Sequence, residues 1–139
     1  MSEELLKKIK KNIEEEPYAK FFGIEVIELR QGYSLVEMKA SKKYENIFSI
    51  THGGAVFSLM DVAFGSAANS YGTIAVALDV NINYIRPSVT GDILRAEAKE
   101  VSRGNTIATY NIIAKNNSGK IIASCQAVAF LKKDRLPFL

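Results

Sequence analysis

Apolar residues along this chain change their period twice, and each change marks a change of element. Leu5, Leu6, Ile9 and Ile13 recur at three- and four-residue intervals among lysines and glutamates, the spacing that lines up one face of a helix. The pattern ends at Pro17, so the N-terminus reads as a short amphipathic helix that packs as a lid or brace. Two extended runs follow, at 24–29 and 33–40, separated by Arg30, Gln31 and Gly32. That separation has the length and chemistry of a hairpin loop.

After a loop at 41–50 the chain becomes apolar without alternation around Asp61, and the run is too long and too rich in Ala, Leu and Met for a strand. It reads as the only long helix. From Gly72 onward the period is two. Val76, Leu78, Val80, Ile82 and Tyr84 alternate with Ala77, Asp79, Asn81 and Asn83 in a strand at 74–85, whose even positions are expected to face a core. Pro87, Gly91 and Asp92 mark a turn into 93–101, where Leu94, Ala96 and Ala98 alternate with Arg95, Glu97 and Lys99. Turn residues at 102–105 and 116–119 lead into strands at 106–115 and 121–131, giving an antiparallel meander. The expected architecture is α+β: a curled antiparallel sheet of five or six strands around one long hydrophobic helix, plus the short N-terminal helix.

Composition narrows the field. With 139 residues, 47% hydrophobic and 24% charged, the chain suits one domain, read as an N-terminal helix over 1–20 and a single globular unit over 21–139. The net charge of +3 is spread through interleaved acids and bases, unlike the aromatic-studded basic run of a nucleic-acid binder, and it suits a polyanionic small molecule. No apolar stretch is long enough for a membrane span, and the charged first sixteen residues lack a signal-peptide core. A cytoplasmic protein is expected. Asn116, Asn117 and Ser118 match the glycosylation pattern but read as a turn. One His and one Cys without ligand spacing make no metal set, and Cys125, among alternating strand residues, reads as a buried inert thiol.

Asp61 is the residue that needs explaining, because it is the only formally charged side chain between Glu45 and Asp79. A carboxylate in an apolar helix is costly unless paired, hydrogen-bonded or kept for chemistry. The helix opens with Thr51, His52, Gly53 and Gly54. Two glycines at a helix start admit close approach, and the free N–H groups there favour an oxygen that is becoming negative. Such donors are each worth about 3 kcal/mol of barrier. Asp61 lies seven residues beyond Gly54, about 10 Å along the axis, so one subunit cannot aim both groups at one carbonyl. Two copies with antiparallel helices can, which predicts a homodimer with shared sites. Two plainer readings stay open: Asp61 as a structural carboxylate at a helix break, and His52 as a satisfied interface histidine.

An ordered set of residues now stands out: Asn46; His52, Gly53 and Gly54; Asp61; Asn69 and Gly72; the strand 78–84; then Arg86, Pro87, Gly91 and Asp92. In this set the chain resembles the hotdog-fold acyl-CoA thioesterases, specifically the PaaI-type branch of phenylacetic acid degradation, over roughly residues 21–130.

The resemblance implies hydrolysis of an aryl- or short- to medium-chain acyl-CoA in a homodimer, with dimers pairing further. Its thioester carbonyl would accept from the Gly53 N–H, while Asp61 of the partner acts as general base or nucleophile. Asn46 matches a position that holds water or the acyl group, and His52 one near the thioester. Nucleotide contacts fall at Arg86, Pro87 and Ser88 and at Arg103, Gly104 and Asn105, with Lys42, Lys43, Lys132 and Lys133 adding diffuse attraction. The acyl pocket would draw on Ile47, Phe48, Gly54, Phe57 and Phe64, although these apolar side chains suit a core equally well. No cofactor is implied, since coenzyme A belongs to the substrate. The family often presents a strand hydroxyl near the position of Ala77, absent here, for which Asn46, Ser58 or Thr51 are substitutes. Two other functions compete. A hotdog dehydratase uses a helix Glu, and none occurs in 46–78; a non-catalytic acyl-CoA binder gains nothing from keeping Asp61.

Overall fold

The computed structural model describes residues 1–139. Helix α1 (Glu3–Glu15) starts with Ser2, whose hydroxyl accepts from the Leu5 N–H at 3.2 Å, an N-cap that satisfies one orphan donor. The helix does not simply end before Pro17. Glu16 leaves helical geometry, and Pro17 opens a second short helix, α2 (Pro17–Phe22). Proline suits the first helical position, where its missing N–H has no partner to lose. The boundary expected after residue 20 therefore falls inside α2.

Six strands follow in the expected places: β1 (Glu25–Arg30), β2 (Tyr33–Lys39), β3 (Thr73–Tyr84), β4 (Ile93–Arg103), β5 (Ile107–Lys115) and β6 (Ile121–Arg135). Between β2 and β3 runs the long helix α3 (Gly53–Ala68), preceded by a 3-10 turn over Lys42–Tyr44. All neighbours are antiparallel, in the order β1-β2-β4-β5-β6-β3. At the β1–β2 turn Gly32 takes φ 73, and a Cβ there would press on Glu100 and Tyr71 at 3.1 Å. Only glycine fits both demands.

The sheet curls round α3. Leu94, Ala96, Ala98, Ala108, Ile112, Ala127 and Ala129 are buried against Leu59, Met60, Ala63 and Phe64 in one core cluster. Small residues on the strands let the sheet approach the helix closely, and packing at crystal-like density follows. The buried Ser34 hydroxyl donates to the Ala63 carbonyl at 2.6 Å, tying β2 to the helix.

Two expectations about burial are corrected. The even positions of β3 do not all face the core: Val80 and Ile82 pack against it, whereas Val76, Leu78 and Tyr84 are 42%, 57% and 56% exposed. β3 is the outermost strand, and a bulge between Ala77 and Asp79 breaks its alternation. Nor is α3 buried all round. Gly54 and Asp61 are exposed and Gly53, Phe57, Gly65 and Asn69 half-buried, a stripe along one side that the sheet does not cover. At the opposite edge of the sheet, Glu14 of α1 accepts from the Val26 N–H at 2.8 Å, so the β1 edge is partly covered and the β3 edge is not. No helix is long and apolar enough to cross a membrane.

Candidate active site

The open stripe of α3 feeds two clefts. At its N-terminal end a cleft of about 430 Å³ is lined by Asn46, Thr51, Gly53, Tyr84, Arg86 and Ser88, among others. Further along, a second of about 310 Å³ lies over Asp61 and Gly65, under α1 and the C-terminal residues Leu136 and Phe138. Gly53 and Asp61 are eight residues apart on one helix, a rise of about 12 Å. They line different clefts of the protomer.

At the helix start the accounting of N–H groups is complete. His52 is the N-cap, and its Nδ1 accepts from the Gly54 N–H at 2.8 Å. Nδ1 is therefore the unprotonated nitrogen and Nε2 carries the hydrogen. The Ala55 and Val56 N–H groups donate to the His52 carbonyl at 2.9 and 3.3 Å. The Gly53 N–H alone finds no acceptor in the chain, and Gly53 lines the first cleft at the positive end of the helix dipole. Both glycines sit close against neighbouring side chains. A Cβ on Gly53 would lie 3.2 Å from the Tyr84 ring, and one on Gly54 3.0 Å from His52 Nδ1.

Asn46 shapes the preceding loop. Its Oδ1 accepts from the Phe48 N–H at 2.9 Å, and Ser49 takes φ 61 to complete the turn. The side-chain amide N–H groups are left to the cleft. Ile47 and Phe48 sit at the loop tip, 92% and 73% exposed, and line neither cleft of the protomer. The Arg86 guanidinium donates once, to the Ile121 carbonyl at 2.9 Å, which leaves most of its N–H groups free at the cleft wall.

Asp61 is exposed in the protomer rather than buried, yet the protein packed about its other sides still pushes its carboxyl above the ordinary aspartate range. It accepts no hydrogen bond and has no cationic partner. Beside it in the cleft stands Glu16, a residue the linear pattern did not single out. Burial first, and the Asp61 charge second, push the Glu16 carboxyl up as well.

Other candidates are spoken for. Phe64 is 3% exposed and packs edge-on to Tyr110 at 5.6 Å, so it belongs to the core and not to an acyl pocket. The Ser88 hydroxyl meets Thr51 Oγ1 at 2.9 Å, and both are buried; they clasp the helix entry. Ser58 donates to the Gly54 carbonyl at 2.8 Å, so the Tyr18 hydroxyl 2.9 Å away must donate to Ser58. Ser58 has thus spent its hydrogen and is no donor to replace the missing strand hydroxyl. Arg103 pairs with Glu100 at 3.5 Å and stacks 3.6 Å over the Tyr71 ring. It is held inside a network where Tyr71 and Tyr110 also donate to Glu100, each at 2.8 Å. Arg103, Gly104 and Asn105 lie at the other end of the sheet from Arg86: Arg103 stands opposite Ala108 and thereby Ala129, whereas the Arg86 N–H donates to Ile122. Seven residues of strand separate them, about 23 Å. One protomer does not bring these two arginines together.

Comparison with known proteins agrees with this fold. The sequence profile of the thioesterase superfamily matches residues 48–123. The acyl-coenzyme A thioesterase PaaI of Escherichia coli is 36% identical over 110 residues, covering 79% of each chain. The solved structure of E. coli PaaI, from the phenylacetic acid degradation operon, superposes with a TM-score of 0.90 at 30% identity, covering 94% of this chain and 95% of that one. A Streptococcus mutans protein solved with acetyl-CoA has a TM-score of 0.78 at 26% identity, over 81% and 91% of the two chains. With more than half of the chain inside the profile and the whole sheet-and-helix plan shared with PaaI, the chain belongs to the hotdog-fold thioesterase superfamily, in its PaaI-type branch, and is a thioester hydrolase.

Proposed function

We propose that the protein hydrolyses acyl-CoA thioesters as a two-fold dimer, each site joining the Gly53 N–H of one protomer to Asp61 of the other. The observation that carries this reading is the Gly53 N–H without an acceptor, in a cleft that Asp61 of the same chain does not line. Each half of the chemistry lacks its counterpart. The outer edge of β3 supplies the means to join them, because its backbone groups are unpaired and Val76, Leu78 and Tyr84 are open beside it. An unpaired edge of this kind is a template for another strand, and two-fold pairing of β3 with its copy also lays the α3 helices antiparallel. Gly53 then faces the partner's Asp61 when the axis passes near Phe57, midway between them.

In such a site the thioester carbonyl oxygen accepts from the Gly53 N–H, which strengthens as charge develops on that oxygen. Asp61 of the partner takes a proton from water as the water oxygen bonds to the carbonyl carbon. Collapse of the tetrahedral species breaks the carbon–sulfur bond, and the departing thiolate recovers the proton from Asp61. The acid and free coenzyme A leave. In the nucleophilic variant the Asp61 carboxylate itself bonds to the carbonyl carbon and the carbon–sulfur bond breaks, releasing coenzyme A thiolate and leaving an acyl–aspartyl anhydride; water then opens the anhydride to the free acid and the Asp61 carboxylate, and the proton that this water gives up goes to the thiolate. A raised carboxyl pKa serves the first route, since it brings basicity nearer the working pH. Arg86, at the wall of the Gly53 cleft with unspent N–H groups, is placed to take a phosphate of coenzyme A. Asn46 offers its amide to the water or the acyl group. His52 acts through Gly54, fixing the turn that aims the Gly53 donor.

The test is release of thiol from a panel of acyl-CoAs, with sedimentation in parallel. Turnover by a dimer, abolished in Asp61→Asn while substrate binding survives, is the expected result. A fully active monomer, or no turnover on any member of the panel, overturns it.

A further inference from the structure

The cleft over Asp61 continues past the carboxylate for another turn of α3. Its floor there is Gly65, and its walls are Ile9 and Ile13 of α1 with Leu136 and Phe138 of the C-terminal segment. Beyond Asp61 the polar side chains next to Gly65 are turned to backbone. Asn12 donates to the Lys8 carbonyl at 2.9 Å, Ser66 to Val62 at 2.6 Å, and Asn69 to Gly65 at 2.8 Å. Asn12 keeps its Oδ1 and Glu16 its carboxylate at the rim, and the rest of the lining beyond Asp61 is chiefly apolar. The groove's volume of about 310 Å³ is roughly twice that of an apolar cavity known to admit benzene.

Gly65 has no structural reason to be glycine. Its φ is not positive, and a Cβ built on it meets no heavy atom within 4 Å. In the middle of a helix, glycine costs about 1 kcal/mol relative to alanine. The fold forgoes that stability and gains room one turn beyond Asp61, about 6 Å along the axis.

We infer that Gly65 is a specificity-determining residue: the acyl group lies in the groove between α1, α3 and the C-terminal segment, and the missing side chain at 65 admits acyl groups that reach past the first turn. This rests on the proposed acyl-CoA hydrolysis. A rise of 6 Å corresponds to roughly five carbon–carbon bonds of an extended chain, so acetyl and butyryl groups stop short of Gly65, octanoyl and decanoyl groups pass over it, and the far edge of a phenylacetyl ring just reaches it.

The experiment compares wild type, Gly65→Ala and Gly65→Leu on acetyl-, butyryl-, octanoyl-, decanoyl- and phenylacetyl-CoA, with melting temperature and sedimentation for each. Expected are variants that melt at or above wild type and remain the same size, keep kcat/KM on acetyl- and butyryl-CoA within about twofold, and lose on the order of tenfold or more on the longer groups, Leu more than Ala. Equal loss across the panel, no loss on any member, or dissociation of the variants overturns the assignment, dissociation because Gly65 would then be an interface contact. Those outcomes leave acyl-CoA hydrolysis standing. A wild type inactive on every member overturns the proposed function itself, and the groove assignment with it.

Discussion

Tyr84 holds Gly53 from two directions: its hydroxyl donates to the Gly53 carbonyl at 3.1 Å, and its ring lies where a Cβ on residue 53 would stand, 3.2 Å from Cζ. The outermost strand thus fixes the first turn of the central helix and the bearing of its one free donor.

That donor can be removed without touching the helix. Residue 53 is the first of α3, and His52 has φ −60 and ψ 136, both suited to proline at 53. Gly53→Ala and Gly53→Pro add the same Cβ beside Tyr84, but only proline loses the N–H. We expect Gly53→Pro to have a kcat lower than Gly53→Ala by about 10²–10³-fold. Equal values would exclude the donor from catalysis.

Shared sites make a complementation prediction. Asp61→Asn and Gly53→Pro, each inactive alone, regain one intact site when paired, with Gly53 from one chain and Asp61 from the other. Co-expression of equal amounts yields half heterodimers and so about a quarter of the wild-type sites. Activity measured on the co-purified mixture should approach that fraction; a mixture as inactive as its components would mean that each chain builds its site alone.

Asp61→Asn should lower kcat by about 10²–10⁴-fold and raise the melting temperature at neutral pH. The carboxyl is raised above its usual 3.8 in the folded chain, so the unfolded chain releases this proton first as pH rises. Stability then falls with pH from about 3.8 up to the raised value and stays lower above it. The asparagine variant escapes that loss. Melting curves at several pH values should show its advantage at neutral pH and its disappearance in acid, while the acid limb of wild-type activity lies above 3.8.

Glu16 reports the same charge. Its carboxyl is pushed up chiefly by burial and secondly by Asp61. In Asp61→Asn the Glu16 titration, followed by NMR of the side-chain carboxyl carbon, should move part of the way down towards the usual 4.5. An unmoved midpoint would mean that the two groups are farther apart in solution.

Arg86→Ala should act on affinity. With its guanidinium at the wall of the Gly53 cleft and not among the reacting groups, its loss is expected to raise KM by about tenfold and to leave kcat within a few-fold. Lysine at this position restores charge but not the paired donor geometry. Steady-state kinetics that show the reverse split would place Arg86 in the chemistry.

The alternation of 93–101 and 121–131 made β4 and β6 readable, since a period of two follows directly from one face being buried. The long apolar run around Asp61 announced α3 for the same reason. What periodicity does not carry is the count of neighbours. Val76 and Leu78 look like core residues in the chain and are surface residues because no further strand of the protomer covers β3. Arg103 looked free because a bulge between Glu100 and Ser102 lets Glu100 meet it along the same strand, and Tyr71, far along the chain, meets it only in the fold. Glu16 and Asp61 are forty-five residues apart in sequence, and nothing in the spacing of either predicts their meeting. The Gly53 donor was legible because it depends on local rules alone: a cap, two glycines and a helix start.

The outer flank of β3 carries one charge, Asp79, and neither lysine nor proline. Natural sheets usually place such residues on an open border to turn away stray strands. Here the border is unguarded for twelve residues. If the proposed two-fold pairing closes this border, each newly made chain runs a race in which an identical sibling has to arrive before an unrelated strand does, and the soluble yield should depend on synthesis rate and temperature more than on the melting point of the finished protein.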